Sequence, residues 1–321
     1  MPGSGLVVGL GGSAGALEAL ESFFSNLPAD SGLSFVIVQH LERHHPSMLP
    51  ELLGQKSRMP VLQAQAGTRV EPDHVYVIAP NTLLTVDRGV LRVSPAAEAG
   101  PQAPIDAFLR SLAEDRGEGA VGIILSGTGS DGAAGLRAIR ENGGLTLAQA
   151  PATARHDGMP RAVIESGLVD HVLPVEKMPA VLLSHALHVA LRAGNGGHHE
   201  SSASTEGLDT QLVASLGAIC SILRMRTGHD FGRYKEGTLL RRIRRRLLIQ
   251  HVSSVAEYLQ LLERESSKVS SLLKDLLIGV TQFFRDPSAF ALLEEQIVPA
   301  LFQGKDAGVP VRIWVPGCAS G

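Results

Sequence analysis

The sequence predicts a doubly wound α/β protein: a mostly parallel sheet with helices on both faces. A small all-α domain and the truncated start of a second α/β unit follow it. Three observations lead there. Through residues 1–192, short runs rich in Val, Ile and Leu alternate with Ala/Leu/Glu-rich stretches of helical period, as repeated βα units require. Hydrophobic residues make up 44% of the chain but aromatics only 4%, with a mean hydropathy of +0.12, so the core is aliphatic, as buried parallel strands prefer. From Leu208 the strands stop, and Leu212, Leu216, Ile219 and Leu223 recur at helical spacing.

The first unit opens on residues 5–10, an apolar run with adjacent valines that reads as a buried strand. Gly11-Gly12-Ser13-Ala14-Gly15 makes a tight turn, and a helix follows from Ala16. Phe35-Val36-Ile37-Val38 is a second buried strand ending at Gln39-His40, with a helix expected near Pro46. Val75–Ile78 and Leu83–Val86 flank Pro80-Asn81, and Asp87-Arg88-Gly89 turns Leu83–Val86 into Val90–Val93 as a hairpin. A helix starts at Pro104 and runs to about Arg116. Ala120–Leu125 is the most apolar strand, and it runs through Ser126-Gly127-Thr128-Gly129-Ser130-Asp131-Gly132 into a helix reaching Ile139. Leu145–Ala148 is a further strand, Gly158-Met159-Pro160 opens a short helix, and residues 176–192 form a closing helix. Residues 193–207 are small and polar without periodicity, the composition of a flexible linker. Helices are expected from Leu208, over 238–250, 254–264, 269–280 and 287–301, before a strand at 311–315.

Composition narrows the function classes. No apolar run approaches the ~20 residues that span a bilayer. No basic segment precedes the first apolar run, so no secretory signal is evident. Cys220 and Cys318 lie far apart, which excludes a disulfide framework and points to the cytoplasm. The net charge of −3 divides into −7 for residues 1–207 and +4 for residues 208–321, so the two halves present different surfaces.

The turn at Ser13 has three readings: a nucleophile elbow, a dinucleotide-binding glycine turn through Gly9, Gly11 and Ala14, or a plain βα corner with Ser13 as N-cap. In an open α/β sheet, ligands and catalytic groups gather at the carboxyl ends of strands. Three such ends carry Ser13, His40 and Asp131. Serine needs a base to take its proton, histidine supplies one near neutral pH, and a carboxylate orients the imidazole. Each has a bland alternative, His40 as an ordinary hydrogen-bonded histidine and Asp131 as a turn or helix cap. A dinucleotide site needs an acid at the second strand end, and Gln39-His40 stands there, which favours the nucleophile.

These residues carry a resemblance. Gly9-Leu10-Gly11-Gly12-Ser13-Ala14-Gly15, Val38-Gln39-His40 and Leu125–Ala133 resemble the signature stretches of the chemotaxis protein-glutamate methylesterase (CheB-type) catalytic domain. Gly158-Met159-Pro160 and Val169–Pro174 extend the likeness over residues 5–192. The resemblance implies a serine hydrolase that demethylates glutamate γ-methyl esters on chemoreceptors, releasing methanol, with glutamine deamidation as a related activity and no cofactor. It implies Ser13 as nucleophile, His40 as base, Asp131 as its orienting partner, and an oxyanion hole from the backbone N–H groups of Ala14 and Thr128. Ala14 and Thr128 stand where the family often has threonine and methionine, a departure that bears on substrate preference more than on backbone donors. The family's usual receiver domain is not expected in this chain.

In the second half, Gly228–Lys235, Leu240–Arg246, Thr281-Gln282-Phe283-Phe284-Arg285-Asp286 and Arg312–Gly321 resemble the chemoreceptor glutamate O-methyltransferase (CheR-type). The domains implied are the methylesterase at 1–192, the linker at 193–207, a helical domain at 208–284 and the beginning of an S-adenosylmethionine-binding domain at 285–321. Thr281, Arg285, Gly317 and Gly321 match positions near that cofactor. With one strand and one glycine turn of the cofactor domain present, a fragment or truncated product of a methylesterase–methyltransferase fusion is expected, without methyl transfer. The runner-up is a non-catalytic receptor-docking fragment. The Arg241–Arg246 run lies beside an apolar stripe of Leu239, Leu240, Ile243, Leu247 and Leu248 and reads as a receptor-docking helix or a solvated basic face. No aromatic platform accompanies it, so nucleic acid is not expected. His40, His44 and His45 lack an evident set of further metal ligands, and His198-His199-Glu200 sits in the linker, so no metal is expected at either.

Overall fold

The computed structural model describes residues 5–39, 47–96, 103–194, 202–250, 252, 254–277, 291–302, 312 and 314, with backbone alone at 191–194 and 202–209. Its centre is a seven-stranded sheet of β1 (Val7–Gly12), β2 (Ser34–Gln39), β3 (Val61–Gln63), β4 (Val75–Val77), β7 (Ala120–Ile124), β8 (Leu145–Gln149) and β9 (His171–Leu173). The spatial order is β3-β4-β2-β1-β7-β8-β9, and every pairing is parallel. The chain leaves β1 in one direction to β2 and returns to its other side at β7. The β1/β7 crevice is therefore the topological switch point of a doubly wound sheet.

Both faces are covered, which is why the strands read as continuous apolar runs rather than alternating ones. Val8, Leu10, Phe35, Ile37, Val121 and Ile123 face α1 (Ala16–Ser25) and α6 (Met178–Gly194). Val36, Val38 and Ile124 face α3 (Pro104–Arg116), α4 (Ala133–Glu141) and α5 (Gly158–Glu165). Gly9 and Gly11 of β1 serve this second face. A Cβ on Gly11 would lie 2.4 Å from Ile105 Cγ2, and one on Gly9 would lie 2.7 Å from Leu109 Cδ2, so α3 packs directly on the strand. The expected hairpin is β5 (Thr82–Asp87) with β6 (Val90–Pro95), closed by Arg88 (φ 51°) and Gly89 (φ 71°), two successive positive-φ residues that match the strand twist.

Two strands escaped sequence reading. β3 and β9 have three residues each and lie at the two edges of the sheet, too short and too exposed to give an apolar run. The helix expected near Pro46 is α2 (Leu49–Gly54), with a proline in its first turn. The closing helix is α6.

The second half forms α7 (Ser202–Thr227), α8 (Glu236–Ile249), α9 (Val255–Arg264) and α10 (Ser266–Leu276). Serine and threonine suit a helix start, and α7 begins at Ser202, within the stretch expected to be a linker. Leu212, Ile219, Leu223, Ile243, Leu247, Tyr258, Leu262 and Leu272 make this half's core, and Ser254 caps α9 by accepting from the Glu257 N–H at 3.2 Å. The sheet and these helices form one compact unit, Met1–Leu276; Leu277–Gly321 is a second, whose described helix includes α11 (Val298–Phe302). Val311, Ile313, Val315 and the glycine turn at Gly317–Gly321, read from sequence as a strand and a cofactor loop, lie outside the described residues.

The arginine run on α8 is not an open basic face. Arg242, Arg245 and Arg246 are buried against the sheet half. Arg242 donates to the Arg140 carbonyl at 2.8 Å and Arg245 Nε to the Gly144 carbonyl at 3.1 Å, both past the end of α4 or close to it. Arg245 and Arg246 meet the buried carboxylate of Asp275, which also takes Arg140 Nε at 2.8 Å, and Arg245 reaches Asp170 as well. Burial alone would raise the Asp275 carboxyl, but Arg245, Arg246 and Arg140 outweigh it and hold it below the ordinary carboxylate range. Burial and the neighbouring Arg241 lower Arg242 to about 10. Ile249 at the end of α8 joins the core under α1 and α6. The expectation of a solvated basic face is corrected on this point: the arginine side satisfies buried carboxylates and carbonyls of its own chain, leaving Arg241 exposed and Arg244 half-buried, 3.9 Å from Glu118.

Candidate active site

Ser13 is the first residue beyond β1, at the switch point. Its N–H donates to the Ser126 carbonyl at 2.9 Å, and its own carbonyl accepts from Ala16 N–H at 3.1 Å, which bends the chain sharply from strand into α1. The bend needs Gly15 at φ 73°, where a Cβ would sit 2.8 Å from both Ser126 Oγ and Arg155 Cβ. α1 has no side-chain N-cap, so the reading of Ser13 as a capping residue is not what the structure shows. Gly9 and Gly11 turn toward α3, so their missing side chains make room for a helix and not for a pyrophosphate.

Ser126 holds three segments together. Its buried hydroxyl donates to the Ala14 carbonyl at 2.8 Å and accepts from His156 N–H at 3.0 Å, while its N–H donates to Gln149 Oε1 at 2.9 Å. Gly127 follows, so close that a Cβ there would lie 3.0 Å from Ser13 Cβ and 2.2 Å from Met159 Sδ. Among the described residues, neither Ala14 N–H nor Thr128 N–H donates a hydrogen bond, and both residues are exposed. Ala14 follows Ser13 in the chain, and Thr128 follows the Gly127 that packs against Ser13.

Asp131 lies at the end of the same loop and does not cap the helix that follows it. Its carboxylate reaches across to the first turn of α3, accepting from Ile105 N–H at 3.1 Å and Asp106 N–H at 2.9 Å. Asp106 returns the contact: its Oδ1 accepts from Gly132 N–H at 3.0 Å and Gly135 N–H at 2.7 Å. Burial pushes the Asp106 carboxyl up, with Asp131 adding to the shift and the Gly135 N–H and Arg110 opposing it.

Gln39, the last residue of β2, pairs with Gly12, and its Nε2 donates to the Ser13 carbonyl at 3.3 Å. His40 comes next in the chain and lies outside the described residues, as do Thr281, Arg285, Gly317 and Gly321. Beside Gly15 a cavity of about 150 Å³ is bordered by Glu18, Gln149 and Arg155, with Arg155 paired to Glu18 at 2.6 Å. Among the described residues no group of three His, Cys, Asp or Glu side chains is placed to hold a metal ion. Sequence reasoning overlooked Asp106, Ser126 and Gln149. The signal available for Asp106 was its place in the first turn of a proline-started helix, where a carboxylate is favoured.

The class that this fold defines is a doubly wound α/β protein with a candidate site at the carboxyl edge of a parallel sheet. The CheB methylesterase family matches residues 8–182, and the all-alpha domain of CheR methyltransferase matches residues 214–277. The chain belongs to the CheB methylesterase family, a family of carboxylic ester hydrolases. A protein-glutamate methylesterase/protein-glutamine glutaminase of Pseudomonas aeruginosa is 37% identical over 59% of this chain and 54% of its own length. An uncharacterized 104.1 kDa protein in the hypE 3′ region of Rhodobacter capsulatus is 35% identical over 85% of this chain and 30% of that protein. The crystal structure of the Thermotoga maritima CheB methylesterase catalytic domain superposes with a TM-score of 0.51 at 31% identity, over 56% of this chain and 97% of that one. The chain therefore spans about half the length of the curated methylesterase relatives, and less of the Rhodobacter protein.

Proposed function

We propose that the chain hydrolyses glutamate γ-methyl esters on chemoreceptors, releasing methanol, and deamidates receptor glutamines at the same site. In this reading Ser13 Oγ attacks the ester carbonyl while His40 takes its proton. The tetrahedral oxyanion is met by the N–H groups of Ala14 and Thr128. His40 then protonates the departing methoxide, and water hydrolyses the acyl-serine to return glutamate. Asp131 orients the imidazole. The observation that carries the reading is the bend at Ser13: a serine that does not cap its helix, on a strand end, packed against the Gly127 of the loop that leads to Asp131. The names of the methylesterase/glutaminase relatives support the same chemistry.

The chain is read as a methylesterase domain, a connecting stretch, a helical methyltransferase-type domain and the start of a cofactor domain, acting in the cytoplasm. No described helix is long and apolar enough to cross a membrane. Receptor docking through the full Arg241–Arg246 run is disfavoured, because three of its arginines would have to leave Asp275, Asp170 and the end of α4. The test is methanol release from methylated receptor. Ser13→Ala abolishes release while the fold is kept; full activity in that variant rejects the assignment.

A further inference from the structure

α3 and α4 pack side by side with their amino ends at the catalytic edge, and neither carries an N-cap side chain of its own. Each is capped instead by the other's aspartate. Asp131 closes the first turn of α3 through Ile105 and Asp106 N–H, and Asp106 closes the first turn of α4 through Gly132 and Gly135 N–H. Four orphan donors at two helix starts are satisfied by two exchanged carboxylates. The exchange is held tightly. Gly132 has φ 100°, and a Cβ on Gly135 would lie 2.6 Å from Leu109 Cβ and 3.2 Å from Asp106 Cα, so α4 sits directly on the turn that bears Asp106.

We propose that Asp106 is a positioning residue for Asp131: it fixes the peptide that follows Asp131 and supplies a second negative charge behind the catalytic carboxylate. The inference rests on the reading of Asp131 as the orienting partner of the base. Gly132 is the residue next to Asp131, so the Asp106 bond to its N–H sets the orientation of the peptide on which Asp131 swings. The charged groups that face Asp106 are Asp131, from the β7–α4 loop, and Arg110, one turn further along α3. A fixed anion behind Asp131 favours the imidazolium that forms as serine attacks, so it raises the working range of the base.

Both N–H groups converge on the same oxygen, Oδ1, which separates geometry from charge. Asp106→Asn keeps an oxygen in that place and removes the charge. Asp106→Ala removes both. Methanol release from methylated receptor is followed against pH for each, with Ser13→Ala alongside and calorimetry as the control for folding. Asp106→Ala is expected to lower kcat at least about tenfold with KM within about twofold, since misplacing a catalytic group by a fraction of an ångström has that effect. Asp106→Asn is expected to retain most of kcat and to move the acid limb of kcat/KM down by roughly 0.3 pH unit, the effect of removing one screened unit charge from beside Asp131. If Ser13→Ala is inactive but folded Asp106→Ala keeps wild-type kcat, the positioning role is wrong and the serine mechanism stands. An unmoved acid limb in Asp106→Asn, with kcat reduced as far as in Asp106→Ala, also overturns it. Activity in Ser13→Ala overturns both readings together.

Discussion

Asp275→Ala is expected to break the junction between the helical half and the sheet. Asp275 is fully buried on α10 and is shared by Arg140 of α4 and by Arg245 and Arg246 of α8. Its removal leaves three guanidiniums in a dry site with one fewer carboxylate to face. Breaking a buried pair from one side costs about 3–5 kcal/mol, mostly because of the charge left behind. For a unit of this size each kcal/mol lowers Tm by about 2–4 °C, so a fall of roughly 6–20 °C follows. Scanning calorimetry at low salt gives the Tm, and hydrogen exchange locates the loss. Faster exchange is expected in α8, α10 and the Arg140 end of α4, with the Ser13 turn unchanged. The methanol-release rate below the transition is also expected to hold, because Gly144 and Asp170 precede β8 and β9 at the amino end of the sheet, away from Ser13. Combining Asp275→Ala with Arg245→Met is expected to cost less than the two single losses added, since each removes what the other leaves uncompensated. A loss below about 1 kcal/mol, against the range for a buried pair, would refute the assignment of this junction as an ionic keystone.

Two further outcomes follow from the same packing. Asp170 and Asp275 both sit below the ordinary carboxylate range in the folded chain, despite burial, because Arg245 leads the arginines that surround them. The unfolded state therefore binds more protons at low pH; the stabilisation is complete above about pH 4 and is lost as pH falls through the folded values. Tm measured from pH 7 to pH 3 is expected to drop only in the lowest part, and a drop beginning near neutrality that persists in Asp170→Asn would contradict this origin. Gly11→Ala places a Cβ 2.4 Å from Ile105 Cγ2 and is expected to destabilise by about 1–3 kcal/mol through overpacking. Urea denaturation measures it, and Ile105→Ala, which removes the clashing Cγ2, should cost less in the Gly11→Ala chain than in the wild-type chain.

The sheet was legible because burial on both faces writes parallel strands as unbroken aliphatic runs, and β1, β2, β7 and β8 all follow that pattern. The edge strands were not, since three residues with one partner carry no periodic signal. At the site, Ser13 and Asp131 stood out by residue type and by position at strand ends. Asp106 did not, because its role depends on the Gly132 and Gly135 N–H groups that only the α3/α4 packing delivers. Ser126 reads as one more small residue in a glycine-rich loop, yet it binds Ala14, His156 and Gln149 at once. The α8 arginines misled for a related reason. Charge suggests solvent, and the matching carboxylates, Asp170 and Asp275, lie 75 and 30 residues from Arg245.

The two ends of the sheet have separate duties. Ser13, the Ser126–Asp131 loop and the first turns of α3 and α4 all gather at the carboxyl ends of β1 and β7. The helical half attaches at the other end, through Gly144, Asp170 and the last turn of α4. Helix α4 joins them, with Asp131 leading into it and Arg140 near its close. That placement argues against the helical half as a plug over the serine, since its arginines are spent on the opposite edge. Helix α4 is one route by which one half can influence the other, beside the Arg245 contacts to Gly144 and Asp170 and the packing of Ile249 under α1 and α6. With α4 pinned at one end by exchanged aspartates and at the other by arginines, the junction reads as a mount that holds the Ser13 edge clear of the helical half.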